Sequence, residues 1–115
     1  MGTLQELTGR IVAFRDARDW KQFHKPKDMA LSLMLESAEV AELFQWKGDS
    51  EIEGSMSSLR GKLGRELSDV LYWVLLMAND SGVDLGAAFA EKMAENEAKY
   101  PVDRARGSSK KYSEL

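Results

Sequence analysis

Cysteine is absent from the sequence, and histidine occurs once, at His24. The first absence excludes disulfides, thiolate nucleophiles and Cys-based zinc sites, and it fits a reducing compartment. The scarcity of histidine leaves no Glu-x-x-His motif, which a diiron bundle of the ferritin type requires. His24 lies in a connecting stretch, where an ordinary hydrogen bond is its expected role. Basic charge is also in short supply. A net charge of −3 gives no basic face for a nucleic-acid polymer, although an acidic chain can take an anionic ligand through metal ions. Long apolar runs are missing too. The longest, Val70 to Ala78, is too short to span a bilayer, and "MGTLQELTGR" has no apolar segment of the signal-peptide kind. No segment alternates with period two, so no strands are expected. The expectation is a cytoplasmic, all-α chain of one domain, with no membrane or nucleic-acid-polymer partner.

Helical periodicity fills the space those absences leave. Thr3 with Glu6 forms a capping-box pattern, and Leu4, Leu7, Ile11 and Phe14 follow at helical spacing. "KQFHKPKD" reads as a connection. A second helix is expected from Pro26 to Trp46, stopping at Gly48. "GDSEIEGSMSS" reads as a polar loop. A third helix is expected from Ser58 to Asn79, its start blurred by Gly61 and Gly64, each costing about 1 kcal/mol against Ala. Asp84 caps a fourth helix that Pro101 ends after Tyr100. These elements predict a four-helix antiparallel bundle over 1–101, with a basic, extended tail over 102–115. The second and third helices are apolar on more than one side, which predicts a homo-oligomer. Leu31, Leu35 and Leu75 are expected to pack between subunits.

One feature departs from ordinary core patterning. In "LESAEVAELFQW", Glu36 and Glu39 share a stripe with Met29, Ser32, Val40 and Leu43, all within about 100° of arc. Thirty residues on, Glu66 and Asp69 share a stripe with Leu59, Leu63, Val70, Trp73 and Met77. "E-x-x-E-V-x-x-L" thus matches "E-x-x-D-V-x-x-W". A lone E-x-x-E is usually solvated, but the repeat with matching apolar neighbours points inward. Lys62 is the sole base on that stripe, too little to neutralise four acids. Four clustered carboxylates repel unless they take up protons or a cation, and an all-oxygen donor set favours Mg²⁺ or Mn²⁺.

On the fourth helix, Lys92 and Asn96 continue the apolar face of Leu85 and Phe89. Lys92 alone would be read as a snorkelling side chain. Opposite a metal-loaded carboxylate cluster, the pair suits phosphate oxygens and a polar ligand edge. Trp20, Trp46, Trp73 and Tyr100 flank these segments. Trp73 fits an ordinary core, whereas Trp46 sits at a helix end where a planar base can stack.

The stretches "RDWKQFH", "ESAEVAELFQWKGD", "ELSDVLYW", "KMAENEAKYP" and "SSKKYSEL" resemble, in order, the MazG-like all-α nucleotide pyrophosphohydrolases, and within them the dCTP pyrophosphatase branch. The resemblance implies Mg²⁺-dependent cleavage of a nucleoside triphosphate, dCTP or a related dNTP, to monophosphate and diphosphate, for pool control or house-cleaning. It implies Glu36, Glu39, Glu66 and Asp69 as metal ligands and Glu39 as a candidate base. It also implies Lys92, Asn96 and Tyr100 at the substrate, Trp20, Trp46 and Trp73 around the nucleobase, and a homodimer or homotetramer. Mammalian members of that branch carry His where Ile11 stands and Tyr where Trp73 stands. The competing expectation is a non-catalytic helical oligomer that binds nucleotide or metal as an adaptor.

Overall fold

The computed structural model describes residues 2–115 and contains five α-helices and no strand among them. They are α1 (Leu4–Asp16), α2 (Pro26–Glu42), α3 (Asp49–Ser81), α4 (Leu85–Lys99) and the short α5 (Val102–Ala105). Single 3-10 turns occupy Lys21–Phe23 and Tyr112–Glu114. The chain divides into two units, one ending at Ser81 and the other spanning Gly82–Leu115.

The first unit is built on α3, against which both α1 and α2 pack. Thr3 caps α1 by accepting from the Glu6 amide at 3.1 Å, as the capping pattern predicts. Pro26 occupies the first turn of α2, where its missing N–H costs nothing. Gly82, at φ +69°, supplies the left-handed residue that ends α3. The core holds Met29 of α2 with Leu59, Leu75 and Leu76 of α3.

Two boundaries differ from the sequence expectation. α2 stops at Glu42, and residues 43–46 form a turn. α3 begins at Asp49, so the expected polar loop is helical and the helix runs for 33 residues, about 50 Å. Its composition explains the difference. Asp49 and Glu51 favour a helix N-terminus. Ser55 and Ser58 return their hydroxyls to Glu51 and Ser55 carbonyls, so these polar residues ride on the helix. A third correction concerns Leu75, which is 2% exposed and belongs to this chain's own core, while Leu31 and Leu35 remain 45% and 62% exposed.

In the second unit, Asp84 caps α4 by accepting from the Ala87 amide at 3.1 Å. The segment expected to be extended instead carries α5 and the second 3-10 turn. Tyr112 of that turn meets Tyr100 edge-to-face at 6.2 Å, and Lys99 lies over the Tyr112 ring. The number of α-helices is therefore five rather than four, the extra one being four residues long.

Candidate metal centre and its adjoining cavity

The i, i+3 spacing puts Glu36 beside Glu39 on α2, and Glu66 beside Asp69 on α3. Packing α2 on α3 brings the four together, with one oxygen from each within 4.8 Å of the others. Glu36 and Glu66 are half-buried, while Glu39 and Asp69 form the exposed rim. Among the described residues, no Lys or Arg forms an ion pair with any of them. Glu36 Oε2 and Glu66 Oε2 are buried without a hydrogen-bond partner.

The electrostatics follow from that geometry. Burial, then the charges of Glu39 and Asp69, push the Glu36 carboxyl above its ordinary range. The Glu66 carboxyl is also raised, first by the closeness of the Glu39 carboxylate, which favours the acid form, then by burial and the same neighbouring charges. Two buried oxygens with no donor, in a cluster with no paired base, match the requirements of a hard divalent cation. The donor set fits one, and these four residues would hold it.

A cavity of about 700 Å³ adjoins the cluster, and Asp69 lines both. Its walls come from α1, from α3, and from Trp20 and His24 on either side of the first 3-10 turn. Trp20, Phe14, Tyr72, Trp73 and His24 form a continuous chain of edge-to-face rings, with successive centroids 5.7, 6.3, 5.0 and 5.2 Å apart. Arg10 and Ser68 add polar atoms to the lining. Edge-to-face packing lets the rings fix one another's orientation, and a largely aromatic lining suits a planar heterocycle.

Of the aromatic residues singled out from the sequence, Trp20 and Trp73 line this cavity. Trp46 does not. It is 93% exposed in the turn after α2, with a left-handed backbone at φ +68° that bulky residues rarely adopt. Lys92 and Asn96 lie on α4 at i, i+4 spacing, and Tyr100 is the residue just past its end. Lys92 Nζ lies 3.4 Å from Glu95 Oε1, Asn96 is half-buried, and Tyr100 contacts Tyr112. His24 departs from its expected role, because its Nδ1 is buried with no partner. Burial and the nearby Arg15 charge push the imidazole pKa down, while Asp80 pulls it up.

Sequence reasoning missed Phe14, Tyr72 and Arg10 as lining residues, and it missed a buried ion pair between Arg15 and Asp80. A signal for Arg15 existed: it lies four residues past Ile11 and continues the apolar stripe of α1.

Comparison with known proteins places these features in context. A model of the MazG-like family matches residues 31–115. The dCTP pyrophosphatase 1 of Homo sapiens is 44% identical over 115 residues, covering 98% of this chain and 68% of that protein. The protein of the same name from Rattus norvegicus is 42% identical over the same shares. The crystal structure of a pyrophosphatase from Archaeoglobus fulgidus superposes with a TM-score of 0.81 at 33% identity, over 88% of this chain and 94% of that one.

Proposed function

The chain belongs to the MazG-like family, and from that premise we propose that it is a Mg²⁺-dependent nucleoside triphosphate pyrophosphohydrolase. Its substrate is a deoxynucleoside triphosphate, dCTP or a close relative, and its products are the monophosphate and diphosphate. The names of the curated relatives support the substrate class. The observation that carries the reading is Asp69, which belongs at once to the four-carboxylate cluster and to the aromatic cavity. A triphosphate held at the cluster therefore places its base in the cavity.

Glu36, Glu39, Glu66 and Asp69 would hold Mg²⁺, with Mn²⁺ as the substitute their all-oxygen chemistry allows. Bound metal supplies charge neutralisation on the phosphates and a water of lowered pKa. Glu39, on the exposed rim, would take the proton of a water that attacks the α-phosphorus, breaking its bond to the bridging oxygen so that diphosphate leaves. Lys92 and Asn96 meet phosphate oxygens and the polar edge of the substrate. Trp20 and Trp73 clasp the base, and Tyr100 completes the substrate contacts.

Trp46 serves the base from a homo-oligomeric arrangement, a dimer or tetramer. Leu31, Met34 and Leu35 on α2, with Leu67 and Leu71 on α3, leave apolar stripes at least 39% exposed, as an assembling surface requires. Among the described residues, no helix is long and apolar enough to cross a membrane, and a cytoplasmic setting agrees with dNTP pool control. A pure adaptor would have no use for four convergent acids with orphaned oxygens.

Asp69→Ala tests the proposal. It should lower both Mg²⁺ affinity and turnover of dCTP, each by at least roughly 100-fold, with helical circular dichroism unchanged. Retention of wild-type turnover in that variant would remove Asp69 from the chemistry.

A further inference from the structure

Arg15 is the deepest charged side chain among the described residues, at 1% exposure, and nothing in the proposed chemistry uses it. Its Nη1 donates to Asp80 Oδ2 at 2.6 Å, and its Nε donates to Asp16 Oδ1 at 3.3 Å. Asp80 is itself largely covered, its side chain 15% exposed. Arg15 stands in the last turn of α1 and Asp80 in the last turn of α3, so the pair ties two helix ends together. Such a pair is a poor choice for stability alone. Burying two charges costs about what their attraction returns, and apolar side chains of similar volume usually do as well. An aspartate at a helix C-terminus also opposes the helix dipole.

The main chain of Arg15 leads directly to the cavity wall. Its carbonyl accepts from the amides of Arg18 and Trp20 at 3.1 and 3.3 Å. Asp19, at φ +54°, turns the chain between them, and Gln22 secures it by donating from Nε2 to the Asp19 carbonyl and to Asp19 Oδ2. The Trp20 carbonyl then accepts from Phe23, and the Lys21 carbonyl from His24. A run of hydrogen bonds thus connects Arg15 to the two rings, Trp20 and His24, that this turn delivers to the cavity.

We propose that the Arg15–Asp80 ion pair is a positioning element for the base-binding wall: by locking the last turn of α1 onto α3, it sets where Trp20 and His24 stand against Phe14 and Trp73. The inference rests on reading the cavity as the nucleobase site. The charges of the pair reach the imidazole as well, since Arg15 opposes its protonation and Asp80 favours it. Arg10 and Asp69 line the same cavity, and neither belongs to the pair.

His24 is the chain's single histidine, so its ring signals in proton NMR titrate without overlap. Asp80→Asn keeps shape and removes one charge, while Arg15→Met removes the other and fills the volume. The expected result is a His24 midpoint that falls in Asp80→Asn and rises in Arg15→Met. In calorimetry with Mg²⁺, the affinity for a dCTP analogue whose α,β-bridging oxygen is replaced by a methylene, so that it is not cleaved, should drop about tenfold in Asp80→Asn, part of the range that base stacking supplies. The affinity for inorganic triphosphate, which has no base, should stay within about twofold, a change of only a few tenths of a kcal/mol. A general loss of structure would weaken both ligands together, and that outcome overturns the proposal. So does an unmoved His24 midpoint in Asp80→Asn, which needs only that variant to fold. Wild-type protein that binds triphosphate but gains nothing from the base would instead refute the reading of the cavity, leaving the NMR result to judge the pair.

Discussion

Glu36 and Glu66 differ from Glu39 and Asp69 in depth, and depth divides their work. The inner two carry the buried, partnerless oxygens and the raised carboxyl pKa values. The folded chain holds those protons more tightly than the unfolded chain. Metal-free protein therefore loses stability as pH rises from the ordinary glutamate value of 4.5 through the raised values. Asp80 acts in the opposite sense: its carboxyl is depressed despite its burial, by hydrogen bonds from Arg15 and Asn79. Its contribution is present above 3.8, the ordinary aspartate value, and is lost as pH falls through the depressed one. Thermal melts in EDTA should show a Tm that declines on the alkaline side of pH 5, and saturating Mg²⁺ should remove the decline. A Tm in EDTA that is flat from pH 5 to 8 would contradict the crowding of these acids. Two further side chains separate binding from turnover. Trp20→Ala should raise KM for dCTP and blur discrimination among bases, at a cost of about 1–3 kcal/mol in binding. Lys92→Ala should lower kcat for every nucleotide alike, roughly 100-fold, because phosphate charge shifts during reaction. Its ion pair with Glu95 is exposed and Glu95 keeps Lys99 at 2.9 Å, so the fold should be unaffected. Steady-state kinetics across the four dNTPs would show whether the two effects part in this way.

At the scale of elements, α3 shows what the sequence could and could not reveal. The stripe holding Glu66, Asp69, Val70 and Trp73 was legible because helical spacing alone fixes which residues share a face. The matching stripe on α2 made the pairing of four acids legible as well. The start of α3 was not legible, because serines and glycines over 54–64 carry weak local preference and tertiary packing decides. Gly61 illustrates the point, since a methyl group there would meet nothing within 4 Å. Gly61→Ala should stabilise the protein by about 1 kcal/mol, read as a Tm rise of several degrees. A lowered Tm would show that this face is closely covered. The cavity escaped the sequence for a different reason. Phe14, Tyr72 and His24 come from separate elements: the packing of α1 on α3 joins Phe14 to Tyr72, and the turn over 17–24, with its left-handed Asp19, adds Trp20 and His24 to the ring chain.

At the scale of the molecule, the apolar stripes on α2 and α3 and the exposed Trp46 point the same way. A helix apolar on both sides needs cover on both, and spacing reveals a face without revealing what covers it; the proposed cover is a second copy of this chain. Light scattering at micromolar concentration should therefore return a dimer or tetramer, and Leu35→Glu, which places charge in the 62%-exposed stripe, should shift it towards monomer. A wild-type monomer at that concentration would leave those stripes unexplained. The account as a whole depends on the bond that is broken. The carboxylate cluster and the aromatic cavity meet at Asp69, and the proposed reading puts the triphosphate at the one and the base in the other. The direct test is to incubate the protein with dCTP and Mg²⁺ and to resolve the products by anion-exchange chromatography. The account predicts dCMP and diphosphate in equal amounts, with none formed in EDTA. dCDP with free phosphate as the dominant products would contradict it.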